Sequence, residues 1–172
     1  MSERGERIAD TARRYVGCSL NHRVMELATL VAASHLDNPY EVVELRTNCA
    51  TFTRGVMDSC GVVHDRLGRP YEVGKAVSDV LAIADRHGAR DRFRGQPLKR
   101  GTILHYVTPG ETNDHVECCL LEEAGPDVGW NKLHCGGGRK DNAITEQRSD
   151  IRWSSGRMLC HVIDPDLLLE PV

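Results

Sequence analysis

The order of local patterns along the chain predicts an α+β domain with an antiparallel sheet. Apolar residues recur at helical spacing through the first half, and the second half is a series of short strand-like runs broken by Gly, Pro, Asn and Asp. At 172 residues the chain suits a single domain, 1–172, long enough to bury a core without disulfides or a metal. Its apolar fraction of 40% and charged fraction of 27% exclude a disordered or fibrous architecture.

The first helix is expected over 3–16, where Ile8, Ala9, Ala12, Tyr15 and Val16 fall at helical spacing and Gly17 follows as a stop. Asn21 can cap a second helix through Val24, Leu27, Leu30, Val31 and Leu36, ending at the Asn38-Pro39 turn. Residues 41–46 read as a short strand. A third helix begins at Asn48 or Cys49 and runs through Phe52, Val56 and Met57 to Cys60-Gly61, and a fourth spans Val77 to Ala84 and stops at His87-Gly88. Beyond Pro97 the runs 101–107, 115–121, 130–135 and 157–163 have strand composition.

The charge balance, 22 Lys and Arg against 25 Asp and Glu for a net charge of −3, gives no field for gripping a polyanion, so nucleic acid is not an expected partner. Two Phe, two Trp and four Tyr are too few for stacking platforms. The N-terminal stretch MSERGERIADTARR has no apolar stretch of signal-peptide length, and no later run approaches a membrane span. A cytoplasmic protein without a membrane span is therefore expected. Seven cysteines, an odd number that includes the adjacent Cys118 and Cys119, fit a reducing compartment better than a disulfide framework.

Cys49 is the candidate nucleophile. The first turn of a helix offers backbone N–H groups without intrahelical acceptors and the positive end of the helix dipole, which together favour thiolate over thiol and can hold an oxyanion. A thiolate that cleaves an amide needs a base that later protonates the leaving amine, and histidine does both near neutral pH. His115, opening a strand, fits that need. Against this stands the ordinary fate of such residues: most cysteines are inert core residues, and most strand histidines are simply hydrogen-bonded.

The segment TNCATFTRGVMDSCGV (47–62) resembles the nucleophile helix of NlpC-type peptidoglycan peptidases and CHAP amidases. PLKRGTILHYV (97–107) followed by DHVECCLL (114–121) is similar to their next two strands in order and spacing, and RIADTARRYVG (7–17) to their first helix. The resemblance covers about half of the chain in three short stretches. It implies a papain-like fold and a cysteine peptidase or amidase acting through an acyl-enzyme, with a peptide or peptidoglycan fragment as substrate and no cofactor. It also implies a third polar residue on the next strand, which KLHCGGG (132–138) supplies as His134, with Asn131 as the alternative for a CHAP-like site. The implied catalytic set is Cys49, His115 and His134. Tyr40 stands where the family often places a tyrosine facing the nucleophile, and equally where a packing residue would sit.

Asn48 and Ala50 depart from the family's usual neighbours of the nucleophile, Thr102 stands where an Asp is common, and 20–46 is a long addition. These differences bear on substrate recognition. An acidic protein without an export signal would reach a cell wall through a phage particle or a specialised secretion system; processing of wall fragments inside the cell accommodates it equally. Acyl transfer, a non-wall amidase and a catalytically silent binding or structural protein, for example in a phage particle, are the alternatives on the same scaffold.

A metal centre is the rival chemistry. The adjacent pairs Cys118-Cys119, His134-Cys135 and Cys160-His161 lack the two-to-four-residue spacing of zinc ligands, and no Cys-x-x-Cys occurs, so no metal is expected. His115-Val116-Glu117 matches the His-x-Glu of zinc deaminases without their Pro-Cys-x-x-Cys. Gly136 to Gly138 lacks the strand and helix of a phosphate loop and reads as a turn beside the site.

Overall fold

The computed structural model describes residues 3–16, 49–60, 76–110, 114–117, 119–121, 130–135, 144–154 and 156–168. Among the described residues three helices, α1 (Glu3–Arg13), α2 (Cys49–Ser59) and α3 (Ala76–Arg86), precede eight strands: β1 (Arg90–Arg92), β2 (Ile103–Val107), β3 (Asp114–Glu117), β4 (Cys119–Leu120), β5 (Trp130–Cys135), β6 (Ile144–Ser149), β7 (Trp153–Ser154) and β8 (Arg157–Ile163). A 3-10 turn at Pro165–Leu167 follows. Every strand pairing among the described residues is antiparallel, and helices with antiparallel sheets make an α+β architecture. The helix expected between Asn21 and Leu36 and the strand at 41–46 lie outside the described residues, as do Tyr40 and Gly136 to Gly138.

Each helix buries one stripe. On α1 the stripe is Gly5, Ile8, Ala9 and Ala12, while Glu3 and Glu6 occupy the first turn and Arg13 the last, where they complement the helix dipole. On α2 it is Ala50, Phe52, Thr53, Val56 and Met57, all buried. Tyr15 meets Phe52 edge-on at a centroid distance of 5.7 Å, and the Cys60 thiol lies 3.5 Å from Thr11 Oγ1, so α2 is clasped to α1. α3 closes in a Schellman motif: Ala89 N–H donates to Ala84 O, Gly88 N–H donates to Asp85 O, and Gly88 takes the left-handed φ of 63° that the motif requires. The expected stop at His87-Gly88 thus has its physical basis.

The larger sheet runs β1-β8-β2-β3, with β7 on β8, and a second sheet runs β4-β5-β6. The two are joined where β3 gives way to β4. Thr102 N–H donates to Lys99 O, Gly101 N–H donates to Leu120 O, and Leu120 N–H donates to Thr102 O, with Gly101 at φ 88°. This is a tight turn running into a G1 bulge, so β4 continues along β2 while offering its other edge to β5. A side chain at position 101 would collide with the backbone of Gly5, so two glycines let α1 lie directly on the joint. Arg100 locks it: Nε donates to Leu121 O at 2.9 Å, Nη1 to Glu6 Oε2 at 2.6 Å and Nη2 to Asp10 Oδ1 at 3.0 Å.

Among the described residues two apolar clusters form the interior. One, built by the three helices, includes Ile103, Val116 and Ile163 from the larger sheet. The other, containing Leu104, Tyr106, Leu159 and Val162, lies on the opposite face. Adjacent residues of β2 divide between the clusters because strand side chains alternate. Tyr106 is fully buried, and its hydroxyl donates to Ile151 O at 2.7 Å, fastening the 150–154 turn over that far face.

β1 and β6 were not expected from sequence. Their residues, RDR and ITEQRS, are largely polar and charged, which suits strands at sheet edges and hides them from a search for apolar alternation.

Candidate functional site

Cys49 is the first residue of α2 and is half-buried, packed against the helix-side cluster. It is a thiol outside any disulfide. Thr53 Oγ1 donates to Cys49 O at 2.7 Å, satisfying the hydroxyl of a fully buried threonine inside the helix. The N–H groups of this first turn have no acceptor within the helix, so the start of α2 has the positive character expected around a reactive thiol.

α2 rests against β3, the strand that bears His115. His115 is only 7% exposed, and its Nε2 is sealed from solvent. In the ladder His115 lies opposite Tyr106, and Val116 lies opposite His105. Residues directly opposite in an antiparallel pair share a face. His115 therefore falls on the far face with Tyr106, whereas Val116 joins the helix-side cluster that Cys49 packs against. The structure brings the two chain segments together and places Cys49 and His115 on different sides of the sheet.

His134 and Asn131 lie on β5, which pairs with β4 through Cys119 and Leu133 and also runs beside β3. Their register positions are opposite Thr145 and Arg148 of β6. The strand expected to supply the third residue is thus next to the strand of His115.

Sequence reasoning passed over a pair of histidines on the helix side. His105 and His161 are opposite each other in β2 and β8, with Nδ1 atoms 3.0 Å apart and rings inclined by 16°. His105 is buried at 4% exposure. His161 falls on this face by regular alternation, since His105 pairs with His161 as Ile103 pairs with Ile163; the bulge comes just beyond it, where Tyr106 pairs with Leu159, Cys160 is the extra residue and Leu159 is turned to the far face. Burial pushes the His161 pKa below the ordinary value, and His105 and the Arg90 guanidinium push it further. A histidine at the centre of ILHYV, where every neighbour is apolar, was the available signal for His105. Nothing local pointed to the pairing of His161 with His105, because it depends on the register of two strands distant in sequence.

Among the described residues no group of three or more His, Cys, Asp or Glu side chains is placed to hold a metal ion, and no helix is long and apolar enough to cross a membrane. A cavity of about 390 Å³ opens elsewhere, lined by residues including Ala89, Arg90, Leu98, Lys99, Asp164 and Leu167. Its lining includes neither Cys49 nor His115. Its two lining cations are engaged, Arg90 with Asp85 and Lys99 with Asp164 and Asp166.

Compared with known proteins, the chain matches no family model, no curated protein and no solved structure.

Proposed function

We propose that this protein is a cysteine-nucleophile hydrolase of amide bonds on a papain-like scaffold, acting on peptidoglycan stem peptides. One observation carries the reading: a half-buried thiol begins a helix that rests on the antiparallel sheet, at the strand bearing His115. The Cys49 thiolate would attack the carbonyl carbon while N–H groups of the α2 first turn receive the oxyanion. The C–N bond then breaks, a histidinium delivers a proton to the departing amine, and water releases the acyl group from sulfur. Transfer to a second nucleophile differs only in that last step.

His115 is the base the family resemblance implies, and His134 its orienting partner. His115 can act so only if the start of α2 overhangs the edge of β3, because the ladder assigns it to the far face. That same observation favours a second reading, a catalytically silent binding protein that keeps the scaffold.

The test is to incubate wild-type and Cys49→Ser protein with purified peptidoglycan and identify released muropeptides by mass spectrometry. Products that disappear with the substitution support the proposal, with an expected loss of about 10³-fold or more. Absence of any Cys49-dependent product rejects the wall-peptidase reading. Iodoacetamide labelling near neutral pH separates the two readings, since a thiolate labels faster than Cys60 or Cys160 and an inert core thiol does not.

A further inference from the structure

We propose that His105 and His161 share one bridging proton and that this bridge is an acid-sensitive latch on β2 and β8, the two interior strands of the larger sheet. Both rings are neutral when the latch is closed; a first added proton is carried on an outer Nε2 with the bridge kept, and the latch opens when both rings are cationic and each Nδ1 bears a proton.

The geometry is that of a head-on hydrogen bond. The ring centroids are 5.3 Å apart and the facing Nδ1 atoms 3.0 Å apart, so the centroid separation is close to the nitrogen separation plus the two ring radii. With an interplanar angle of only 16°, the rings lie nearly edge to edge and each Nδ1 is aimed at the other. A neutral imidazole has one nitrogen that donates and one that accepts. The contact is therefore satisfied when one ring is protonated at Nδ1 and the other at Nε2. If both Nδ1 atoms carry protons, two N–H groups face each other and the bond is lost. A chelated metal would instead need the two lone pairs to converge on a point beside the line joining the nitrogens.

The surroundings oppose the extra charge. His105 is almost completely buried, and its ladder neighbours on this face are the apolar Ile103 and Val116. The charges acting on His161 are His105 from β2, Arg90 and Arg92 from β1, and Asp85 from α3. Asp85 is already committed to Arg90 through two bonds of 2.7 Å. The His161 pKa is depressed in the folded protein, so the unfolded chain takes up the proton first as pH falls. The stabilising contribution is present above the ordinary value of 6.5 and is lost as pH falls through the lower folded value. Release would loosen the β2–β8 pairing beside the strand on which α2 rests. The inference stands independently of the proposed catalysis.

Thermal unfolding of wild-type and His161→Asn protein across pH 8 to pH 5 tests the latch. Wild-type Tm should fall by about 3 °C more than that of the variant over this range. Imidazole ¹⁵N spectra of wild-type protein at neutral pH should show one protonated and one unprotonated Nδ1 within the pair, an observation that does not require the variant to fold. Superimposable pH profiles for the two proteins would overturn the proposal, as would two unprotonated Nδ1 atoms. Stabilisation by equimolar zinc that is abolished in His161→Asn would overturn it in favour of a metal bridge.

Discussion

The two faces of the larger sheet are built on different terms. The helix-facing side is a broad apolar core into which the sequence has set polar, titratable groups: Cys49 at its border and the His105–His161 pair within the sheet. The far side is a smaller cluster that includes the directed bond from Tyr106 Oη to Ile151 O, with His115 on the same face by register. Helix packing tolerates chemistry on its border because the surrounding apolar area already holds the layers together.

This contrast can be broken most severely on the helix side. Phe52→Ala removes a fully buried ring that contacts Tyr15 and should cost about 4 kcal/mol in urea unfolding. A loss below about 1 kcal/mol would mean that the helices are not the principal source of stability. Gly101→Ala attacks the joint between the sheets, since it adds a Cβ against Gly5 and places alanine at φ 88°. A cost of about 3 kcal/mol is expected from strain and displacement of α1 together. An unchanged urea midpoint would show that α1 does not sit on this turn. Tyr106→Phe probes the far face and should cost about 1 kcal/mol, because it leaves the packed ring in place and deprives Ile151 O of its donor. If Tyr106→Phe proved as damaging as Phe52→Ala, the distinction between the faces would fail.

The candidate site was legible in the sequence to the extent that it depends on local spacing. The apolar positions Phe52, Val56 and Met57 set a helix behind Cys49, and α2 indeed begins at that residue. The strands at 103–107, 130–135 and 157–163 were equally readable from their β-branched and apolar content. The 115–121 run was legible as extended chain, but not its division into β3 and β4, which follows from a change of pairing partner. β1 and β6 escaped notice because their backbone bonds come from neighbours distant in sequence, while their side chains look like loop residues.

By itself, the sequence determined the helix and strand periodicities, a composition typical of globular domains, the glycine stop after α3 and the position of Cys49 at a helix start. These rest on interactions within a few residues. Only the tertiary structure decided which side of the sheet each histidine occupies. A strand reverses face with every residue, so the register of β8 on β2 is enough to bring His161 to His105, and that of β3 on β2 to carry His115 away from the helices. Those steps are fixed by partners dozens of residues away and leave no trace in the local pattern.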